Sequence, residues 1–274
     1  MNESLTVAIV GIGKVGKAIA FLTKKAGYKL ETIFTNQTAT ELIKETENIL
    51  ILKEKNWNFT QPDILFITTP DDKIENIAKK LSEFNKDKWQ KTLVFHCSGA
   101  FNSELLLPLK NLGAKVGSIH PLKSFAQNII SLSELANVYW CVEGDKEAID
   151  FAEKLITFTA GKIVNVRTDK KALYHAAAVM SCGHVLALLD LSLNLLAECG
   201  IKPHQAKEIL MPLIQGTINN FASQEISEAL TGPFARGDFQ TISHHLQAML
   251  KLEKNDYLPI YTLLGQHSLK VKNK

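Results

Sequence analysis

The residues best suited to chemistry lie in two polar segments that each follow an apolar run. Residues 96–100 read His-Cys-Ser-Gly-Ala, and residues 117–122 read Gly-Ser-Ile-His-Pro-Leu. A neutral imidazole beside a hydroxyl can polarise a carbonyl, or take the proton of an alcohol as hydride leaves. We predict this proton-transfer role for His120, with Ser98 and Gly99 next to it at the substrate. The alternative is that His120 is a structural histidine bonded to backbone.

Two further candidate side chains, Lys171 and His175, are four residues apart and therefore share one face of a predicted helix. We predict that they orient a substrate, and the alternative is a solvated lysine and a packed histidine. His96 lies at the end of a predicted strand and is expected to be a hydrogen-bonded core histidine. Cys97 has no cationic neighbour except histidines, so we expect an inert thiol.

A third cationic candidate is Arg236, which lies in the turn-rich segment 232–238. Its planar guanidinium suits a substrate carboxylate or a cofactor phosphate. The alternative is that the segment only starts a helix, with Asp238 or Thr241 as the cap. A metal site built from Asp238 and the two histidines after it has no recognisable ligand spacing, so no metal is predicted.

A glycine-rich turn follows the first apolar run and precedes a helical pattern. Its residues are Gly11-Ile12-Gly13-Lys14-Val15-Gly16. In this strand-turn-helix context, Gly11 permits a tight turn, Gly13 lets a pyrophosphate approach the backbone, and Gly16 lets helix and strand pack closely. The phosphate would lie at the positive end of the helix dipole. The turn therefore predicts a dinucleotide site, and the alternative is a structural turn without a cofactor.

The residues after the second predicted strand bear on the choice between NAD and NADP. They are Thr35, Asn36, Gln37 and Thr38, without the acidic residue that binds the ribose of NAD or the arginine that accommodates the extra phosphate of NADP. Hydroxyl and amide groups do not repel a phosphate. We therefore predict NADP, with NAD as the alternative, and place Thr35 and Asn36 at the cofactor.

Another polar segment closes a central strand and contains Thr68, Thr69 and Pro70, followed by Asp71 and Asp72. Ligands of open α/β sheets bind at this carboxyl edge, so we assign the first three residues to the cofactor site. The same segment also suits a helix start, because proline and acidic residues are favoured there. Both interpretations can hold together.

The elements that must position these residues change along the chain. Apolar, β-branched runs predict seven strands, at 5–10, 29–35, 64–68, 92–96, 115–119, 138–142 and 162–166. They alternate with helical patterns, the first at 15–26, which is typical of a parallel sheet. After residue 166 the pattern is helical, at 172–199, 203–215, 224–230, 241–252 and 259–271.

We accordingly predict an α/β fold with a Rossmann-type parallel sheet over residues 1–167 and an all-helical domain over residues 168–274. The charged stretch after Arg167 marks the boundary. The helical domain is expected to bind substrate at the cleft with the first domain and to form a homodimer.

Composition excludes several classes of partner. A formal net charge of +3, with lysine and arginine scattered along the 274 residues, provides no surface for nucleic acid. The four cysteines form no CxxC pair and no signal segment precedes the first strand, so we expect a cytoplasmic protein. The long apolar stretch 172–197 carries His184, Asp190 and Asn194, and we therefore expect a core or interface helix instead of a membrane span.

Several of these segments together resemble one bacterial family. VAIVGIGKVGKAIA, ITTPDDKI, HCSGAF, GSIHPLKSF, KALYHAAAV and LTGPFARGDFQTISHHL are similar to segments of Rossmann-like proteins with a C-terminal domain of unknown function, number 2520. The resemblance spans nearly the whole chain. It implies an architecture similar to that of pyrroline-5-carboxylate reductase, ketopantoate reductase, and the 6-phosphogluconate and β-hydroxyacid dehydrogenases, in which the helical domain commonly forms the dimer.

Two neighbouring families imply roles for single residues. Prephenate dehydrogenases carry a serine and a His-Pro pair in the active site, and Ser98 and His120-Pro121 look like them. Enzymes of the 6-phosphogluconate type carry a lysine with an asparagine four residues on, and here Lys171 matches but His175 replaces the asparagine.

The functional expectation is an NAD(P)-dependent reductase or dehydrogenase that acts on a small, anionic metabolite. The incomplete lysine–asparagine pattern leaves open a nucleotide-sensing protein that keeps the cofactor site without hydride chemistry. An imine-forming condensation enzyme similar to the opine dehydrogenases differs from the first hypothesis only in its substrate.

Overall fold

The computed structural model describes residues 4–36, 49–53, 60–84, 89–126, 131–252 and 256–272 of the chain. The chain separates into two compact units, Met1–Cys182 and Gly183–Lys274. The first unit is α/β and the second is helical. The predicted fold class is therefore confirmed.

The first unit contains one sheet, which has eight strands in its described part. The strands are β1 (Thr6–Val10), β2 (Lys29–Phe34), β3 (Leu50–Leu52), β4 (Ile64–Ile67), β5 (Leu93–His96), β6 (Lys115–Pro121), β7 (Tyr139–Gly144) and β8 (Lys162–Val164). Their order is β3-β2-β1-β4-β5-β6-β7-β8. Seven strands match the predicted runs. The sequence did not indicate β3, whose three residues are too few to form a pattern.

Helices cover both faces of the sheet. They are α1 (Lys14–Lys25), α2 (Asp71–Phe84), α3 (Leu107–Lys110) and α4 (Lys146–Thr157). Ile19 of α1 and Phe151 of α4 belong to one hydrophobic cluster, whereas Ile74 of α2 and Leu109 of α3 belong to another. Because both faces are covered, β1 and β4 read as continuous apolar runs instead of alternating ones.

One strand pair differs from the predicted all-parallel arrangement. β7 runs antiparallel to β6, and all other neighbouring strands are parallel. In this pairing Cys141 lies opposite His120, and Glu143 lies opposite Ser118. The predicted parallel sheet is thus confirmed for the other strand pairs, and this one antiparallel pair was not foreseen because single-strand patterns carry no information on strand direction.

The predicted helix 172–199 is two helices, α5 (Lys171–Ser181) and α6 (Gly183–Glu198). The chain leaves the helical conformation at Cys182, with φ −126° and ψ −75°. Serine, cysteine and glycine all have weaker helix propensities than leucine, and they follow one another at residues 181–183. The two compact units divide at this break, later than the predicted boundary at Arg167, so that α5 belongs to the first unit.

The second unit consists of α6 and five further helices in its described part. These are α7 (Pro203–Ser223), α8 (Ile226–Ala229), α9 (Pro233–Arg236), α10 (Phe239–Leu250) and α11 (Tyr257–Lys272). Many of its large apolar side chains face outward: Leu186, Leu213 and Leu263 are 65%, 67% and 68% exposed. The apolar stretch 172–197 was expected to be a core or an interface helix, and its part in α6 has no buried residue within this chain.

Among the described residues, one helical stretch, Thr168–Glu198, is long and apolar enough to meet the size and composition criteria for a membrane span. Core helices of soluble proteins meet the same criteria but are mostly buried, whereas 0% of the most apolar window of this stretch is buried in the structure. The break at Cys182 interrupts this stretch, and its second half carries Asp190.

Candidate active site

The glycine turn lies between β1 and α1, at the point where the order of strands reverses in the sheet. β1 has β2 on one side and β4 on the other. Gly11 has a φ of +89°, and a Cβ at this position would lie 2.8 Å from Thr69 Cγ2. A Cβ on Gly16 would collide with the carbonyl oxygen of Gly11 and lie 2.6 Å from Thr68 Oγ1. Both positions therefore require glycine.

The same turn fits the pyrophosphate of a dinucleotide. A Cβ on Gly13 would meet no atom within 4 Å, so space is open above the backbone there. No side chain of the described residues caps α1, which leaves the first amides of the helix, those of Lys14 and Val15, directed at this space. Thr69 Oγ1 is buried and has no hydrogen-bond partner among the described residues. Open space, uncapped amides and a buried hydroxyl without a partner are the kind of groups that dinucleotide sites use for phosphate and ribose.

Thr68 shapes the turn through its side chain. Its hydroxyl donates hydrogen bonds to the carbonyl oxygens of Val10 and Gly11. Pro70 precedes α2, and its carbonyl oxygen accepts a hydrogen bond from the amide of Lys73. Thr68 therefore holds the turn, and its predicted contact with a cofactor stays a prediction.

The positions that were expected to select NAD or NADP are only partly described. Thr35 is buried, and its amide donates to Leu52 O at 2.9 Å. Asn36 is exposed. Gln37 and Thr38 lie outside the described residues, so the preference for NADP stays a prediction.

Ser98 is buried and lies at the centre of the loop after β5. Its hydroxyl donates to Asp71 Oδ2 at 2.8 Å. It accepts from the amides of Ala100 at 3.2 Å and Phe101 at 3.1 Å. With these partners the hydroxyl fixes the loop, and the expected contact of Ser98 with a substrate stays a prediction. Sequence reasoning placed Asp71 only at a helix start and missed this bond.

His96 is a core histidine, as predicted. Its Nδ1 accepts from the amide of Ser98 at 3.1 Å, and its Nε2 lies 2.9 Å from Asn102 O. Because Nε2 must then carry the proton, the ring is neutral. Burial lowers the pKa of His96 to about 4.

His120 lies near the carboxyl end of β6 and borders the same loop. A Cβ on Gly99 would lie 2.8 Å from both Nε2 and Cε1 of the His120 ring. Nδ1 of this ring is 3.2 Å from the hydroxyl of Tyr174. Burial, and then the positive charges of His175 and Lys171, lower the pKa of His120 to about 4. His120 is therefore neutral at pH 7.

His175 and His120 form a pair around Gly99. Their ring centroids are 5.7 Å apart with an interplanar angle of 84°. A Cβ on Gly99 would lie 2.6 Å from His175 Cδ2, so the two rings enclose the glycine. The structure thus brings together the predicted residues His120, His175 and Gly99, and it adds Tyr174, which sequence reasoning missed although it stands between Lys171 and His175.

Lys171 is 1% exposed and forms its hydrogen bonds with side chains of β6 and β7. Its Nζ lies 2.5 Å from Ser118 Oγ and 3.3 Å from Glu143 Oε1. Glu143 in turn accepts from the amide and the hydroxyl of Ser103, both at 2.8 Å. The ion pair anchors the start of α5 on the sheet, and the expected substrate-orienting role of Lys171 stays a prediction.

Cys97 lies between His96 and Ser98 in the chain, and its thiol is unreactive. Burial raises the pKa of its thiol to about 12. The thiol is therefore protonated at neutral pH, as expected from the sequence.

In the second unit, Asp238 is the cap of α10. Its carboxylate accepts from the amide of Thr241 at 3.1 Å and from its hydroxyl at 2.8 Å. The capping interpretation of this segment is thus confirmed. Arg236 is exposed at the end of α9, and its contact with a substrate or cofactor phosphate stays a prediction.

Two family profiles match the chain. Residues 1–121 match the Rossmann-like domain, and residues 138–268 match the domain of unknown function DUF2520. The chain combines a Rossmann-like domain with a DUF2520 domain. This confirms the resemblance inferred from the sequence motifs. Among curated proteins, none matches the sequence.

Solved structures share the fold of this chain over nearly its whole length. A Bacteroides fragilis protein, whose name proposes an NADP oxidoreductase, is 17% identical with a TM-score of 0.80, covering 98% of this chain and 99% of its own. A Thermotoga maritima protein is 22% identical with a TM-score of 0.73, covering 97% and 98%.

A more distant structure has a named activity and a bound cofactor. The pyrroline carboxylate reductase of Plasmodium falciparum, solved with NADP bound, is 11% identical with a TM-score of 0.57, covering 98% of this chain and 99% of its own. At this identity the likeness concerns the fold.

Proposed function

We propose that the protein is an NAD(P)-dependent reductase or dehydrogenase acting on a small, anionic metabolite. The observation that carries the proposal is a series of contacts along one edge of the sheet. In order, these are Gly11 with Thr69, Asp71 with Ser98, and Gly99 with His120 and His175. A dinucleotide at the glycine turn and a substrate at His120 would therefore lie on the same edge, where α/β sheets bind ligands.

The proposed cofactor is NADP, with NAD as the alternative. The first amides of α1 would hold the pyrophosphate, and the buried hydroxyl of Thr69 would gain a partner. When bound, the nicotinamide supplies or accepts a hydride. The fold similarity to a reductase solved with NADP supports a nicotinamide dinucleotide at this turn.

Two imidazoles support an anionic substrate. His120 and His175 both border Gly99, and burial together with their proximity disfavours a positive charge on His120. A carboxylate or carbonyl oxygen of the substrate would accept a hydrogen bond from a neutral imidazole N–H. The neutral His120 would in turn form a hydrogen bond with the reacting group and keep it oriented.

A reductase assay with a histidine variant tests the proposal. Purified protein is mixed with NADPH or NADH and a panel of 2-oxo acids and imines, and we expect oxidation of the cofactor with at least one of them. His120→Asn should lower kcat/KM about 100-fold, while NADP still raises the melting temperature. His204→Asn, at an exposed position of α7, serves as the matched control. Unchanged turnover in His120→Asn would remove His120 from the chemistry.

A second candidate is a nucleotide-sensing protein without hydride chemistry. The burial of Lys171 favours it, because the lysine that acts in the enzymes of the 6-phosphogluconate type is here turned into the ion pair with Glu143. The redox state of the cofactor discriminates between the two: under this alternative NADP stabilises the protein but no metabolite oxidises NADPH.

We also propose that the helical unit pairs with a second copy of the chain. Leu186, Leu213 and Leu263 belong to three different helices and are each about two-thirds exposed, at 65%, 67% and 68%. Large apolar side chains exposed on several helices of one unit support an interaction site in a protein that works in water. Free thiols among all described cysteines agree with the proposed cytoplasmic location.

A further inference from the structure

Tyr174 is the one described side chain that forms a hydrogen bond with His120. Its hydroxyl lies 3.2 Å from Nδ1, and its ring stands at 89° to the imidazole with centroids 5.7 Å apart. The other ring nitrogen, Nε2, has no hydrogen-bond partner among the described residues and borders Gly99. One nitrogen of His120 is thus bound within the protein, and the other is available to a ligand.

The direction of the Tyr174–His120 bond follows from the chemistry of the two groups. Burial raises the pKa of Tyr174 to about 12 and lowers that of His120 to about 4, so both are neutral between these values. A neutral phenol is a stronger acid than a neutral imidazole N–H, and an imidazole nitrogen is a stronger base than a phenol oxygen. The favoured bond therefore has the phenol O–H as donor and Nδ1 as acceptor.

We propose that Tyr174 is a positioning residue that donates its hydroxyl proton to His120 Nδ1 and so keeps the neutral imidazole protonated at Nε2. The nitrogen next to Gly99 is then a hydrogen-bond donor. It suits a ligand atom with a lone pair: the oxygen of a carbonyl or carboxylate, or the nitrogen of an imine. In a reductase, His120 would then donate a hydrogen bond to the group that receives the hydride. It would not act as a general base.

The protonation of His120 can be read without an assay of activity, by nitrogen-15 NMR of imidazole-labelled protein at pH 7. We expect the His120 signals of the Nε2–H form. His96 is an internal reference, because its bonds to Ser98 and Asn102 impose the same form. A spectrum of the Nδ1–H form of His120 in the parent protein would overturn the proposal, whatever any variant does.

The variant Tyr174→Phe removes the hydroxyl and keeps the ring. The Nδ1–H form of His120 should then become measurable, while the signals of His96 stay unchanged. If His120 keeps the parent spectrum in Tyr174→Phe, the tyrosine does not position it and the proposal is wrong. Tyr261→Phe is the matched control, because Tyr261 forms the same kind of bond with His245 at 2.6 Å in the second unit. It should alter the spectrum of His245 alone.

A second experiment tests the role of His120 as a hydrogen-bond donor in catalysis. That role rests on the proposed function. The side-chain nitrogen of Gln reaches the place of Nε2, whereas that of Asn reaches only the place of Nδ1. His120→Gln should therefore retain at least about tenfold more kcat/KM than His120→Asn. Equal losses would overturn the donor role. The absence of any reductase activity would instead reject the proposed function, and the NMR result would still decide the position of the proton.

Discussion

Asp71 Oδ2 accepts a hydrogen bond from Ser98 Oγ at 2.8 Å, which joins the first turn of α2 to the loop after β5. The same hydroxyl accepts from the amides of Ala100 and Phe101. This loop carries Gly99, against which His120 and His175 pack. One buried serine therefore sets the position of the loop that separates the glycine turn from the histidine pair.

Replacing Ser98 with alanine should destabilise the protein, because Asp71 and two loop amides lose their partner in a buried place. We expect Ser98→Ala to lower the free energy of unfolding by about 1–3 kcal/mol, measured by urea denaturation. Ser82→Ala is the control: its hydroxyl forms one exposed bond with Lys79 O, and the change should stay within about 0.5 kcal/mol. Equal stability of Ser98→Ala and the parent would contradict the role assigned to the hydroxyl.

Removing the buried ammonium of Lys171 should have a larger effect. Lys171→Met leaves the Glu143 carboxylate without its cation, and the loss of one partner of a buried ion pair costs about 3–5 kcal/mol. The double variant with Glu143→Gln should regain part of this loss, because no charge is then left unpaired. The exposed neighbour Lys170 gives the control Lys170→Met, with little change expected in the same urea experiment. A loss in Lys170→Met as large as that in Lys171→Met would show that the ion pair is not the cause.

The local features of the fold could be predicted from the sequence. The strand–turn–helix context of the glycine motif, the ends of most strands and the cap by Asp238 all depend on neighbouring residues, and each has a pattern of residue types. The convergence of Gly99 and His120 also follows from local patterns, because both lie at the carboxyl ends of neighbouring parallel strands.

The partners of the site residues could not be predicted in this way. Glu143 and Lys171 are 28 positions apart, and Tyr174 and His120 are 54 apart. Their contacts depend on the antiparallel direction of β7 and on how α5 packs against the sheet. Without those contacts, Lys171 reads as a cation available to substrate, and Tyr174 reads as one more apolar residue of a helix.

The stability of the protein should fall as the pH is lowered from about 6.5 to about 4. His96 and His120 have lowered pKa values of about 4, whereas histidine in the unfolded chain titrates near 6.5. In this window the unfolded chain binds more protons, so the stabilisation that is complete above pH 6.5 is lost as the pH falls. For the buried His96 the loss approaches about 3 kcal/mol at pH 4.

Urea denaturation at several pH values checks this. His120→Gln should have a smaller slope of unfolding free energy against pH than the parent in this window, and the slope for His204→Gln, at an exposed position, should equal that of the parent. A parent stability that does not change between pH 6.5 and 4 would show that the two imidazoles titrate normally in the folded state.

Two copies of the chain should form a dimer through the helical unit. Light scattering after gel filtration should give twice the mass of 30.4 kDa. Leu213→Glu puts a charge on an apolar side chain that is 67% exposed, and we expect it to give a monomer or to lower the dissociation temperature. Leu107→Glu, at a 49% exposed position of the first unit, is the control. A monomeric parent protein, or one that sediments with lipid vesicles, would contradict the proposed pairing.

Alanine substitutions at two glycines of the turn should distinguish an effect on cofactor binding from an effect on folding. A methyl group on Gly13 meets no protein atom within 4 Å, and the residue has φ −66°, which alanine adopts easily. Gly13→Ala should therefore cost at most about 1 kcal/mol of stability. It should weaken NADP binding at least about tenfold, because the methyl group occupies the space of the pyrophosphate.

Gly16→Ala should instead destabilise the apo protein, because its methyl group collides with Gly11 O and Thr68 Oγ1. Thermal unfolding with and without NADP measures both effects. If Gly13→Ala binds NADP as the parent does, the dinucleotide does not lie on this turn, and the proposed function loses its cofactor site.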